Sequence, residues 1–355
     1  MAETGVNLRG LRRHNRALLC GHILRAGGLS RVELAERTGL TQQAVSKIVA
    51  ELLETQLLDV ERQASAGVGK PRTMLRIRPG ARCALGAQLD RDGFLVLRTG
   101  LSGEVEAKVA APLPAGFTPE QAVAAVAAAT DELCTGLDPA RVLGLGVGAV
   151  GPLDHREGRV RDATNMPGWH DVPLRALLAE HTGLPVTLDK NTNSAAVAHT
   201  WPDTPDTATA VVLVGTGIGV GLLIDGAVYR GPRTNAGEFG HTTIAYDGPR
   251  CGCGRRGCVE IMHRSATTPA EAARLLGTGL ADLVQVLDLE RIVLFGRTIR
   301  AAPDVYRDTV AAQLRELLPV PHWQRTEVEV SDLGEEAVAL GGAFEVLARF
   351  YEDPK

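Results

Sequence analysis

Apolar positions in the first sixty residues recur at helical spacing, in three short blocks. Ala17, Leu18, Ile23 and Leu24 mark one face of a helix over residues 12–25, which Gly27-Gly28 closes. Ser30 then reads as the cap of a second helix, Arg31–Thr38, with Glu33 where a capping box needs it. Gly39-Leu40 makes a tight turn, and Thr41 caps a third helix over 42–56. The inner face of that helix is Val45, Ile48, Val49, Leu52 and Leu53, which leaves Gln42, Gln43, Ser46 and Lys47 on the polar side. Residues 61–78 then predict a β-hairpin with a glycine-rich basic tip over 67–72.

The texture changes near residue 83. Short Val/Leu/Gly-rich strands, at 142–150, 185–189, 210–224 and 291–295, alternate with Ala-rich helices at 120–133, 172–181 and 193–199. Such alternation predicts an α/β body with buried sheets. An apolar helix over 336–351 is expected either to dock the helical module or to close the body. The expected division is a module over 1–80 and a body over 83–355, reasonable for 355 residues.

Charge separates the same two parts. Residues 1–82 hold 14 Lys/Arg against 7 Asp/Glu, while the remainder of the 38 basic and 42 acidic residues is 24 against 35. A basic head on an acidic body predicts that the head meets a polyanion. The chain carries no apolar run near the ~18 residues of a membrane helix and no signal-peptide pattern at its start. A cytoplasmic protein that does not contact the membrane is expected, associated with the nucleoid of a bacterial cell when DNA-bound.

Two helices joined by a glycine turn make a helix-turn-helix, whose second helix enters the major groove. Gln42, Gln43, Ser46 and Lys47 suit that place, because Gln pairs bidentately with adenine and Lys reaches guanine or phosphate. Ser30, Arg31 and Thr41, at the helix starts, are expected beside the DNA backbone, and Lys70 and Arg72 on the wing tip in backbone or minor-groove contact. Reading a palindromic duplex requires two such heads, so a homodimer or homotetramer is expected.

Cysteine provides the second landmark. Cys251, Cys253 and Cys258 fall within eight residues, and His241 lies ten residues upstream of the first. Three thiolates and an imidazole form a closed four-coordinate set suited to structural Zn²⁺, in a loop over 241–258. The scattered Cys20, Cys83 and Cys134 read as small buried side chains.

Four motifs in the body, GVGAVGPLD (146–154), NMPGW (165–169), GTGIGVG with NAGEFGH (215–241) and CGCGRRGCVE (251–260), resemble the ROK family of sugar kinases and transcriptional repressors. With the N-terminal winged helix, nearly the whole chain matches the repressor branch. The resemblance implies an actin/hexokinase-like ATPase fold of two lobes, zinc on the named His and Cys residues, and sugar hydroxyls bound by Asn165, Glu238, His241 and Glu260. Amides and carboxylates are the groups that polyol recognition needs.

The same comparison shows where kinase chemistry is lost. The family's first phosphate loop, G-x-D-x-G-G-T-K, aligns with residues 86–93, where Gln88 replaces Asp, Asp90 replaces Gly and Asp92 replaces Thr. Two added carboxylates are expected to repel the nucleotide. The family's N-D-A-N becomes Lys190-Asn191-Thr192-Asn193, so the base is an amide, able to hydrogen-bond an effector but not to accept a proton. Asp189, one strand position earlier, is expected to face elsewhere. The adenosine loop keeps little glycine at Phe295-Gly296-Arg297-Thr298, although the second phosphate loop at 215–219 survives. The reading is a sugar-responsive DNA-binding regulator without catalytic residues. An active sugar kinase with a DNA-binding head and a ligand-independent regulator are the alternatives.

Overall fold

Local signals set the N-terminal module. In the computed structural model, which describes residues 8–63, 72–163, 166, 168–203, 207–318 and 325–354, helix α1 (Leu8–Ala26) starts four residues before the expected boundary, running through Gly10. In α2 (Arg31–Thr38) the capping box forms: the Glu33 N–H donates to Ser30 Oγ at 3.3 Å, and the Ser30 N–H to Glu33 Oε2 at 2.8 Å. Thr41 Oγ1 accepts the Ala44 N–H at 3.2 Å to start α3 (Gln42–Glu54). This helix stops two residues short of the expected end, because Gln56 turns into the left-handed region at φ 59°. Strands β1 (Leu58–Gln63) and β2 (Arg72–Ile77) pair antiparallel as the wing, and Leu29 bridges to Leu75. The expected tip at 67–71, including Lys70, lies outside the described residues, and so does the side chain of Arg72.

Two lobes of one topology follow. The first contains β3 (Cys83–Asp90), β4 (Gly93–Gly100), β5 (Val105–Pro112), α4 (Pro119–Cys134) and β6 (Val142–Ala149). A small sheet of β7 (Leu153–Asp154), β8 (Arg159–Asp162) and β9 (His170–Val172) comes next, then α5 (Leu174–Thr182), β10 (Val186–Lys190) and α6 (Asn191–Ala198). The second lobe contains β11 (Thr209–Val214), β12 (Ile218–Ile224), β13 (Ala227–Val228), α7 (Val259–Ser265), α8 (Pro269–Leu287), β14 (Arg291–Phe295), α9 (Arg297–Ala301), α10 (Pro303–Leu317) and β15 (Glu327–Val330). Helix α11 (Ala337–Glu352) ends the series. The sheets run β10-β6-β3-β4-β5 and β13-β12-β11-β14-β15, each an antiparallel meander extended by two parallel strands. The expected strand at 210–224 is thus a hairpin: Val214 pairs with Ile218 across Gly215-Thr216-Gly217. Val172 belongs to β9 rather than to the helix after it, and α6 begins at Asn191, two residues before the expected start.

Helix α11 does both things expected of it. It lies so close to the first sheet that a Cβ on Gly86 would stand 1.8 Å from the Ala339 carbonyl oxygen, and one on Gly146 1.9 Å from that of Gly342. Its other residues, Phe344, Leu347 and Tyr351 among them, share one buried cluster with Leu19, Cys20 and Ile23 of α1. The Tyr351 hydroxyl donates to the Leu101 carbonyl at 2.9 Å, and Trp201 stacks on Phe344 with ring centroids 5.1 Å apart. Burial pushes the Cys20 thiol up to about 12, so it remains a neutral apolar group. Among the described residues no helix is long and apolar enough to cross a membrane.

Candidate functional site

On the module, Gln42, Gln43, Ser46 and Lys47 are all exposed at the start of α3, while Val45, Ile48, Val49 and Leu52 are buried beneath them. Thr41 is exposed and Ser30 and Arg31 are half-buried, with both hydroxyls committed to their helix caps. This surface carries free amide, hydroxyl and ammonium groups on a rigid helix backed by a wing.

In the body, the C-terminal end of β10, the start of α6 and the β11–β12 turn converge on a cleft lined by Lys190, Asn191, Thr192, Glu238, His241 and Glu260, among others. Four of the five expected effector residues therefore meet. The fifth, Asn165, lies outside the described residues. Glu238 and Glu260 are not bare acceptors. Lys190 Nζ donates to Glu238 Oε1 at 2.5 Å and to the Ala236 carbonyl at 2.9 Å, and Glu260 accepts from the Ile218 N–H at 3.0 Å and from Arg264 at 3.1 Å. Asn191 Oδ1 accepts the Thr192 N–H at 2.8 Å, so its NH₂ is the end left for a ligand. Gly237 packs here at φ +84°, where a Cβ would be 1.8 Å from the Val220 carbonyl oxygen; only glycine fits.

The two carboxylates expected at the first phosphate loop are in place, Asp90 held by neutral donors and Asp92 by a cation. Asp90 accepts from Thr216 Oγ1 and from the Arg91 N–H, both at 2.7 Å, and Asp92 pairs with Arg297 at 2.6 Å. Arg91 also donates across the lobes to the Thr216 carbonyl at 2.7 Å. The seat between the two phosphate loops is thus bridged by the chain's own side chains. A cavity of about 630 Å³ opens on these same loops, lined by Asp90, Asp92, Gly215, Gly296 and Arg297 together with Phe94 and Phe295.

Asp189 faces away from the cleft, as its strand position requires, into a buried network. Arg230 Nε donates to Asp189 Oδ2 at 2.5 Å and Arg230 Nη2 to Glu345 Oε1 of α11 at 2.9 Å, while Asn193 Nδ2 donates to Asp189 Oδ1 at 2.8 Å. Burial, and then the charge of Asp189, hold the Glu345 carboxyl above its ordinary value. Sequence reasoning missed Arg91, Lys190, Thr192 and Arg230. A lysine at the end of an apolar strand was the available signal for the second.

His241, Cys251, Cys253 and Cys258 place their ligand atoms within 4.8 Å of one another. Cys253 and Cys258 sulfurs are 3.6 Å apart, and Cys251 Sγ is 3.7 Å from His241 Nδ1. Tetrahedral thiolates at ~2.3 Å from zinc stand roughly 3.8 Å apart, so the spacing is compatible with a structural zinc. Burial and hydrogen bonding with Cys253 push the Cys258 thiol up to about 12.

The profile of the ROK family matches residues 91–267, and that of the MarR family matches residues 16–69. The xylose repressor of Bacillus subtilis (strain 168) is 25% identical over 375 residues, spanning 95% of this chain and 96% of that protein. Among solved structures, a ROK family transcriptional regulator, homolog of the E. coli MLC protein, superposes with a TM-score of 0.77 at 21% identity, covering 97% of each chain. The ROK hexokinase from Thermus thermophilus is 31% identical with a TM-score of 0.62, covering 74% of this chain and 97% of that one. With two lobes of the shared topology, the motif cysteines gathered around His241 and this extent of likeness, the chain belongs to the ROK family, with a MarR-type winged helix at its N-terminal end.

Proposed function

We propose that this protein is a sequence-specific DNA-binding transcriptional regulator, acting as a repressor, whose kinase-like body senses a sugar or sugar derivative and transfers no phosphate. One observation carries the reading: an exposed, basic helix-turn-helix face is joined through a common core to a sugar-kinase body that has an amide, Asn191, at the position of the base. Residues 1–80 form the DNA-binding domain, and residues 83–355 the effector-binding and oligomerisation domain. Gln42, Gln43, Ser46 and Lys47 read bases, while Ser30, Arg31, Thr41, Lys70 and Arg72 position the module on the backbone. Asn165, Asn191, Glu238, His241 and Glu260 line the effector site. A structural zinc on His241, Cys251, Cys253 and Cys258 fixes the loop that carries His241 into the cleft. The xylose repressors among its relatives support a sugar-type effector and a cytoplasmic place of action.

Signal transfer follows the packing. The effector residues at the end of β10 adjoin Asp189, which is tied through Arg230 to Glu345 of α11, and α11 shares its buried face with α1. A ligand that binds two arrangements of this path unequally shifts the heads of a dimer relative to a palindromic site, with a coupling of ~1–3 kcal/mol. Selection of bound sequences from random duplex DNA, repeated with a metabolite panel, tests this reading. A recurrent palindromic site whose enrichment changes with one sugar is expected; absence of any preferred duplex refutes it. The surviving Gly215–Gly219 loop favours the kinase alternative, for which ADP release with ATP, Mg²⁺ and hexoses is the direct assay.

A further inference from the structure

We propose that the turn between β3 and β4 is a latch that holds the two lobes closed without a nucleotide, by tying the first phosphate loop directly to the second. The inference concerns lobe closure alone and goes beyond the regulator reading, which stands or falls on the selection of a duplex.

Three consecutive residues of this one turn each reach the opposite lobe. Asp90 accepts from the Thr216 hydroxyl and Arg91 donates to the Thr216 carbonyl, both at 2.7 Å, and Asp92 pairs with Arg297 at 2.6 Å. The turn is itself fixed: Asp90 pairs with Gly93 as the last rung of the β3–β4 ladder, and the Asp90 carboxylate also accepts the Arg91 N–H at 2.7 Å. Its receiver is fixed as well, since the Gly215 N–H donates to the Gly217 carbonyl and the Ile218 N–H to Glu260, both at 3.0 Å. A Cβ on Gly217 would meet Arg91 Nη2 at 3.4 Å and Glu260 Oε2 at 3.0 Å, so the guanidinium lies directly against this second turn.

The ties differ in strength. Asp92 and Arg297 are about half exposed, and a pair in that setting holds weakly. Asp90 and Arg91 are half-buried, so their bonds carry most of the closure. Along the same edge Lys108 of β5 pairs with Glu336, next to the start of α11, which packs on both sheets. The latch also divides the space between the lobes. Arg91 and Thr216 line the pocket of about 50 Å³ beside Lys190 and Glu238, while Asp90, Asp92 and Arg297 line the cavity of about 630 Å³. A ligand closes two lobes by touching both at once, and its hold depends on its concentration. Here each loop already has the other as partner, so closure belongs to the folded chain.

Peptide-resolved hydrogen exchange on the full-length protein, with and without Mg²⁺-ATP, tests this. In the parent, segments 88–93 and 213–219 are expected to exchange slowly, and to the same extent in both conditions. Asp90→Ala combined with Arg91→Ala is expected to speed exchange at 213–219, in the lobe that carries no substitution, by about tenfold, while segment 174–182 keeps its rate. Asp92→Asn and Arg297→Gln should each speed 213–219 by less, and no further in combination, as two partners of one bond do. These two lie on exposed side chains and carry the test if the double alanine variant does not fold. The proposal is overturned if 213–219 keeps the parent rate in the double alanine variant, if the increase spreads equally to 174–182, if the Asp92→Asn and Arg297→Gln effects add, or if Mg²⁺-ATP slows exchange at both turns of the parent.

Discussion

Replacing Arg230 by methionine tests the path between the cleft and the C-terminal helix. The substitution keeps an unbranched, flexible stem and strips the guanidinium from between Asp189, whose side chain is 1% exposed, and Glu345, 20% exposed. Breaking a buried ion pair by removing one partner costs ~3–5 kcal/mol. Asp189 keeps its bonds from Asn193 and the Lys190 N–H, and Arg230 itself is 23% exposed, so the lower end applies, about 3 kcal/mol. At roughly 2 °C per kcal/mol for a chain of this size, the melting temperature falls by about 6 °C. The loss depends on pH with a definite sign. The folded-state pKa of Glu345 is raised by burial above its ordinary value of 4.5, and losing Arg230 raises it further. A raised carboxyl contributes stability that is present below the unfolded value and is lost as pH rises through the folded one. The deficit of Arg230→Met is therefore largest at pH 8 and narrows toward pH 5. Adding Glu345→Gln should recover part of it at pH 8. Urea unfolding of both variants and the parent at the two pH values is the assay. A deficit below about 1 kcal/mol, or one equal at both pH values, would refute the assignment of Arg230 as the cation that ties the two carboxylates together.

Three further outcomes are expected. Gln43→Ala should weaken specific DNA binding by about 1–3 kcal/mol in a mobility-shift titration and leave random duplex unaffected, whereas Lys70→Ala should mainly reduce the salt slope; equal loss on every sequence for Gln43→Ala removes it from the base readers. Metal analysis of protein purified without added metal should find about one zinc per chain, and Cys258→Ser or a strong chelator should release it and lower the melting temperature, because the binding energy of a structural ion is folding energy; a zinc-free sample with unchanged stability contradicts the site. Tyr351→Phe should cost about 1–3 kcal/mol in thermal unfolding, since it leaves the buried Leu101 carbonyl without its donor.

The module was readable residue by residue because its signals are local: a capping box at Ser30 and Glu33, a left-handed Gly39, an amphipathic third helix. The His241–Cys258 cluster was readable because its residues sit close together in sequence. Legibility failed where partners come from afar. Asp189 meets an arginine 41 residues away, which in turn holds a glutamate on the last helix, and nothing near Asp189 announces either. The same is true of Asp90 and Asp92, which look like bare charges in sequence and are met by Thr216 and Arg297 from the opposite lobe. The strand-like run at 210–224 misled because valines fill both arms of a hairpin, and only its three-residue Gly-Thr-Gly centre betrays the reversal.

Because α11 completes the hydrophobic seam beneath α1, the DNA-reading head is built from residues at opposite ends of the polypeptide order. The module also meets Ala84, Leu97 and Leu101 of the first lobe, so its docking gathers contacts of long sequence separation, which form late in folding. Loss of α11 would strip Phe344, Leu347 and Tyr351 from that seam, loosening the head from the lobe that holds the cleft.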